Sequence, residues 1–167
     1  MRVMFWVATV FAVIGLGTAR PAAAQDVLLD LSTVEQVAAA IQGAGYKAEI
    51  QKADDGTPFV LSAANGQGFS VDLTDCKEGK CKGLSIQSFY KPDPLFTAAF
   101  ANDWNQANRF LKVSVNPEGE LREWFDIDTH GKLTKANFDD LIDWYVTLDA
   151  LLAKRVDEKQ AAAKAKK

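Results

Sequence analysis

Asp103-Trp104-Asn105-Gln106-Ala107-Asn108-Arg109-Phe110 is where the hydrophobic period of this chain changes, and the change decides the fold. Before it, Leu95, Phe96, Ala99, Phe100, Trp104 and Ala107 recur at helical spacing, and Asp93-Pro94 supplies a capping carboxylate and a proline suited to a first helical position. After it the period is two. Leu111, Val113 and Val115 share one face of a strand, and Asn116-Pro117-Glu118-Gly119 turns the chain into a partner strand with Leu121, Phe125 and Ile127 inward. Beyond Thr134, the residues Phe138, Leu141, Ile142, Tyr145, Leu148 and Leu152 form a helical stripe long enough to cross a whole sheet.

The chain upstream of this switch has the same grammar. Ser32 or Thr33 can cap a helix starting near Val34, with Glu35 or Gln36 completing a capping box, and Gly43 and Gly45 end it. Alternation then predicts strands with Tyr46, Ala48 and Ile50 on one face, then Phe59, Leu61 and Ala63, then Phe69, Val71 and Leu73. Asp54-Asp55-Gly56 and Asn65-Gly66-Gln67-Gly68 are the turns between them. A fourth strand carries Leu84 and Ile86 and runs to about Tyr90. One helix, four strands, a helix, two strands and a helix make an α+β domain, an antiparallel sheet with its helices packed on one face.

With that order of elements, Trp104, Asn105, Arg109 and Phe110 resemble the YbjN-domain family of bacterial sensory-transduction regulators, over essentially all of the chain after its first two dozen residues. The resemblance implies a fold like that of type III secretion chaperones, which bind other proteins and catalyse nothing. Three features stand outside that shared core: the apolar N-terminus, a cysteine hairpin and a lysine-rich tail. They speak against a cytoplasmic regulatory role.

Val3 to Gly17 are apolar, follow Arg2, and lead through Arg20-Pro21 to Ala22-Ala23-Ala24, the form of a secretory signal cleaved before Gln25. The apolar run is shorter than the ~20 residues a spanning helix needs. The expected division is therefore 1–24 as signal peptide, 25–156 as one α+β domain and 157–167 as a Lys/Ala-rich tail, with the mature protein periplasmic or secreted. The net charge of −3 becomes more acidic once Arg2 and Arg20 are removed, so nucleic acid is a poor partner. A membrane contact is expected only through the tail lysines, and Asp157 and Glu158 among them favour a solvated helix end instead.

Cys76 and Cys81 flank Lys77-Glu78-Gly79-Lys80, and pairing Leu73 with Leu84 and Val71 with Ile86 sets the two cysteines nearly opposite each other. A structural disulfide worth about 2 kcal/mol is expected in an oxidising compartment. Asp126 to Asn137 resembles a calcium loop, with Asp126, Asp128, Gly131 and Leu133 in register, but His130 stands at an oxygen-ligand position and Asn137 replaces the closing glutamate. No metal or cofactor is expected, and Thr134 reads as a helix cap. His130 is the single histidine, and neither a nucleophile elbow nor a phosphate-binding glycine motif is present, so no catalytic residues are assigned.

Two sets of residues are candidates for binding. Trp104 and Arg109, with Asn105 and Asn108, either form a small polar site or fill the core and satisfy the helix end. Phe110 and Trp124, with Lys112, are expected on the outer sheet face as diagonal neighbours, Trp124 opposite Lys112. The reading is a secreted, non-catalytic protein-binding or chaperone-like module whose partner is another protein or peptide; a periplasmic small-ligand sensor is the alternative. Intact mass of the exported protein should match a chain beginning at Gln25 and two hydrogens lighter than its reduced form. A full-length membrane-bound species would contradict the signal assignment.

Overall fold

The structure, a computed structural model, describes residues 27–165; the expected signal peptide and its cleavage point at Ala24/Gln25 lie outside the described residues, as do Lys166 and Lys167. The elements run β1 (Leu28–Leu29), α1 (Val34–Gly43), β2 (Glu49–Lys52), β3 (Pro58–Ala64), β4 (Gln67–Thr74), β5 (Gly83–Tyr90), α2 (Ala98–Ala107), β6 (Lys112–Val115), β7 (Leu121–Asp128), β8 (Leu133–Thr134) and α3 (Lys135–Lys164). Six strands form one antiparallel sheet in the order β2-β3-β4-β5-β7-β6, so this is an α+β fold. The chain leaves β5, crosses through α2 to the far edge strand β6, and returns through β7 to fill the gap. The short β1 and β8 pair separately, a two-stranded ribbon absent from the sequence reading because two residues carry no readable period.

One row of residues across the sheet decides which face is buried: Val60, Val71, Ile86 and Phe125 are successive cross-strand partners, and all are buried. Cross-strand partners share a face. Leu84, Ile127, Leu121 and Val113 complete the apolar floor, and Val37 and Ile41 of α1, Phe100 and Trp104 of α2, and Phe138, Ile142, Tyr145 and Leu152 of α3 cover it. All three helices therefore lie on one side, as alternation required. The expected pairings Leu73↔Leu84 and Val71↔Ile86 are found, and the disulfide Cys76–Cys81 closes the hairpin tip beyond them. Cys81 N–H also donates to Ser32 O at 2.9 Å, tying that tip to the start of α1. Behind the disulfide, a Cβ on Gly83 would lie 2.4 Å from Thr74 Oγ1, so a larger residue there would force the Thr74 hydroxyl to turn aside.

The β3 face differs from expectation. Phe59, Leu61 and Ala63 point outward, and Val60 and Ser62 are the buried ones. Apolar residues occur at both parities in Phe59-Val60-Leu61-Ser62-Ala63, so alternation alone is ambiguous there. The turn removes the ambiguity: Asn65 and Gly66 both have positive φ, 52° and 80°, the two-residue loop that pairs Ala64 with Gln67. That register sets Ser62 opposite Phe69 and Val60 opposite Val71, and a one-residue slip would turn the whole strand over. Similarly, Ile50 lies opposite Val60 yet is exposed, on the edge strand β2.

Helix boundaries follow the caps. Thr33 and Gln36 form the capping box of α1. α2 begins at Ala98 with Thr97 as cap, four residues later than expected. Asp93 instead organises a separate turn, its carboxylate accepting from Leu95 N–H at 2.8 Å and its carbonyl from Phe96 N–H at 2.9 Å. Thr134 caps α3, which continues through the Lys/Ala-rich stretch to Lys164. Leu61→Asp should leave stability within about 1 kcal/mol of wild type, whereas Val60→Asp should cost about 4 kcal/mol or more by burying an unpaired carboxylate. Urea melts of the two variants check the β3 register, and equal effects would refute it.

Candidate functional site

The segment that decided the fold is a structural junction. Trp104 is 1% exposed, and its indole N–H donates to Leu111 O at 3.0 Å. Asn105 bonds Val113 twice: Nδ2 donates to the Val113 carbonyl at 2.9 Å, and Oδ1 accepts from the Val113 N–H at 3.0 Å. Because both backbone groups of Val113 turn to Asn105, the outer edge of β6 is capped by the amide and covered by α2. An open strand edge would otherwise invite pairing with another chain. Asn108 Nδ2 donates to Trp104 O at the helix end, while Arg109 is exposed. These residues hold the helix-to-strand corner together, and the indole is closed to any ligand.

Phe110 and Trp124 do not share a face. Phe110 has φ of +65°, outside the extended region, and the β6–β7 ladder stops at Lys112↔Trp124. The twisted backbone carries the ring to the helix side, where it packs against Phe125 at 5.8 Å and Trp144 of α3 at 5.3 Å between centroids. It remains 52% exposed. Alternation fails at a residue with left-handed backbone, and nothing in the residue type announced that conformation: a bulky aromatic is rarely found there.

Trp124 does lie on the outer face, opposite Lys112, and it has other company. Arg122 sits between two rings, its guanidinium carbon 5.5 Å from the Trp124 centroid and 5.8 Å from that of Phe89. Stacking on aromatic faces suits a planar cation. Arg122 Nη2 also donates to Gln87 Oε1 at 2.6 Å, and the Gln87 amide donates to Asp72. Desolvation pushes the half-buried Asp72 carboxyl up, and Arg122 partly offsets this. Asp72, Gln87, Arg122, Phe89 and Trp124 thus form an ordered polar and aromatic platform on a sheet face that carries no helix among the described residues. Phe89 is 60% exposed. The sequence reading placed Leu84 and Ile86 on this strand and passed over Phe89, which alternation from the buried Ile86 puts outward.

At one end of this face, a cavity of about 1060 Å³ is lined by Asp75, Asp126, Asp128 and His130 among others. The carboxylates of the calcium-like stretch have protein partners: Asp126 accepts from Ser85 Oγ at 2.7 Å and Asp128 from His130 N–H at 2.8 Å. Among the described residues, no group of three or more His, Cys, Asp or Glu side chains is placed to hold a metal ion.

Glu123 and Asp149 escaped the sequence reading, though each sits in an apolar pattern already recognised. Glu123 lies between Leu121 and Phe125 in the inward row of β7, and Asp149 lies among Tyr145, Leu148 and Leu152 on α3. Both are buried.

A family model, YbjN, described as "Putative bacterial sensory transduction regulator", matches residues 33–153, which is most of the chain and runs from the cap of α1 to the second half of α3. No curated protein and no solved structure gives a significant match. Asn105→Ala should lower stability by about 1–2 kcal/mol, leaving two backbone groups of β6 without their partner, and should speed amide exchange at Val113. Unchanged exchange at that amide would show that the edge is protected by something else.

Proposed function

The chain belongs to the YbjN family, and from that premise we propose that it is a non-catalytic protein-binding module with a regulatory, chaperone-like role outside the cytoplasm, using its open sheet face. The observation that carries this reading is Arg122 stacked between Phe89 and Trp124 on the side away from all three helices. Arginine and tryptophan are over-represented among residues that dominate binding energy. Gln87 and Asp72 fix the guanidinium before a partner arrives, which limits the entropy lost on association. Lys112 beside Trp124, and Leu61 two strands away from Gln87, extend the face with one cation and one exposed aliphatic group. A polypeptide could lie across these rows with apolar and acidic side chains alternating.

The small-ligand alternative has less support. It requires a closed pocket about Trp104 and Arg109, and Trp104 is enclosed by protein with its N–H bonded. The N-terminal leader and the Cys76–Cys81 bridge support an oxidising location for the mature chain.

The test is affinity capture from periplasm with the exported protein, followed by a direct binding measurement on the captured partner. Arg122→Ala with Trp124→Ala should weaken binding by about 30-fold or more, a loss of ~2 kcal/mol, while the melting temperature shifts by only a few degrees. Phe110→Ala should leave binding unchanged. If the double variant folds and binds as wild type does, the open face is not the docking surface; if Phe110→Ala alone abolishes binding, the exposed Phe110–Trp144 pair on the helix side takes its place.

A further inference from the structure

Between the sheet and the last helix lies a pair of acids that, among the described residues, has no salt-bridge partner. Glu123 of β7 is 0% exposed and Asp149 of α3 is 2% exposed. Asp149 is near enough to raise the proton affinity of the Glu123 carboxyl, and Tyr145 Oη donates to Glu123 Oε1 at 3.0 Å. If both groups were ionised, Glu123 Oε2 and Asp149 Oδ1 would be buried with no donor. Two carboxylates in contact in a medium of low polarity repel one another and lose their hydration, so one proton between them is the state the geometry accommodates.

Among the described residues, no cation contributes to the proton affinity of either acid. β5 presents the Tyr90 hydroxyl, which is buried without a partner, and α3 adds Tyr145 and, further along, Asp157. From α1 the residues in the core, Val34, Val37, Ala38 and Ile41, are all apolar, and β6 contributes Val113 opposite Glu123. The guanidinium of α3, Arg155, packs on the Phe100 ring and reaches Asp103 of α2.

We propose that Glu123 and Asp149 are a proton-binding site: one shared proton docks the C-terminal half of α3 on the sheet, and its loss in alkaline surroundings loosens that half. The inference goes beyond the binding role proposed above and does not depend on it. Burial, then the neighbouring Asp149, pushes Glu123 up to about 9, and burial raises Asp149. The folded state therefore keeps a proton that the unfolded chain releases near the ordinary carboxylate range. Stability due to the pair is complete in mild acid, declines as pH rises beyond that range, and is lost once pH passes about 9. The structural consequence falls on Leu152 and Val156, buried residues that follow Asp149 on the helix.

Infrared spectroscopy of the exported wild-type protein should show a protonated-carboxyl stretching band at pH 7 that disappears as pH is raised through about 9. Absence of that band at pH 7 would overturn the proposal. Over the same range, amides of residues 149–164 should exchange at least ten-fold faster once the intrinsic pH dependence is removed, while those of β4 and β5 hold. Glu123→Gln is isosteric and permanently neutral, so it should flatten the decline of melting temperature with pH; a slope equal to wild type would overturn the site. Should Glu123→Gln fail to fold, Asp149→Asn is read in the same way, and the wild-type band decides alone if neither folds.

Discussion

Everything in this molecule follows from burying one face of a six-stranded sheet and leaving the other open. Strand side chains alternate, so once Val60, Val71, Ile86 and Phe125 are aligned across four strands, the side of every other residue in those strands is set. The alignment is held by short connections. The two-residue Asn65-Gly66 turn and the Cys76–Cys81 tip leave β3, β4 and β5 no freedom to slide. The same parity that builds the core turns Phe89, Arg122 and Trp124 outward, so the stacked platform is a by-product of the core register.

The two edges of the sheet are treated differently. β6 is stapled by Asn105 and covered by α2, and Trp104 secures the covering helix by bonding the residue that precedes the strand. β2 is short, and its residues Glu49, Gln51 and Lys52 are polar and exposed. Charge and brevity discourage pairing at that edge. The family match begins at the cap of α1 and spans both edges, so the junction, the sheet and most of α3 are its common ground.

Polar groups in the core have a separate logic. Ser62 Oγ donates to Lys47 O at 2.6 Å, a local solution for one hydroxyl beneath an apolar layer. Glu123 admits no such local solution, because its donor Tyr145 lies across the sheet–helix interface, and Asp149 Oδ1 is buried without a partner. A hydrophobic pair of similar volume would pack there without any dependence on protons. Their presence couples the longest helix to the chemistry of the surroundings.

By itself the sequence determined the α+β class, the succession of the main helices and strands, the β4–β5 register, the cysteine pairing, the Thr134 cap and the outward position of Trp124. Each depends on neighbours in the chain: periodicity, turn chemistry and caps act over a few residues. Tertiary structure alone decided the rest. The face of β3 came from pairing with β4, since its own residues are apolar at both parities. The later start of α2 came from Asp93 being used in a separate turn. Phe110 left the outer face because a positive φ at the helix-to-strand corner broke the alternation that local reading assumes. The meeting of Glu123 with Asp149, 26 residues apart and on different elements, was visible only as two acids in two apolar rows. A side chain's face can be read from its own strand or helix; which groups face it across the core is set by how those elements pack.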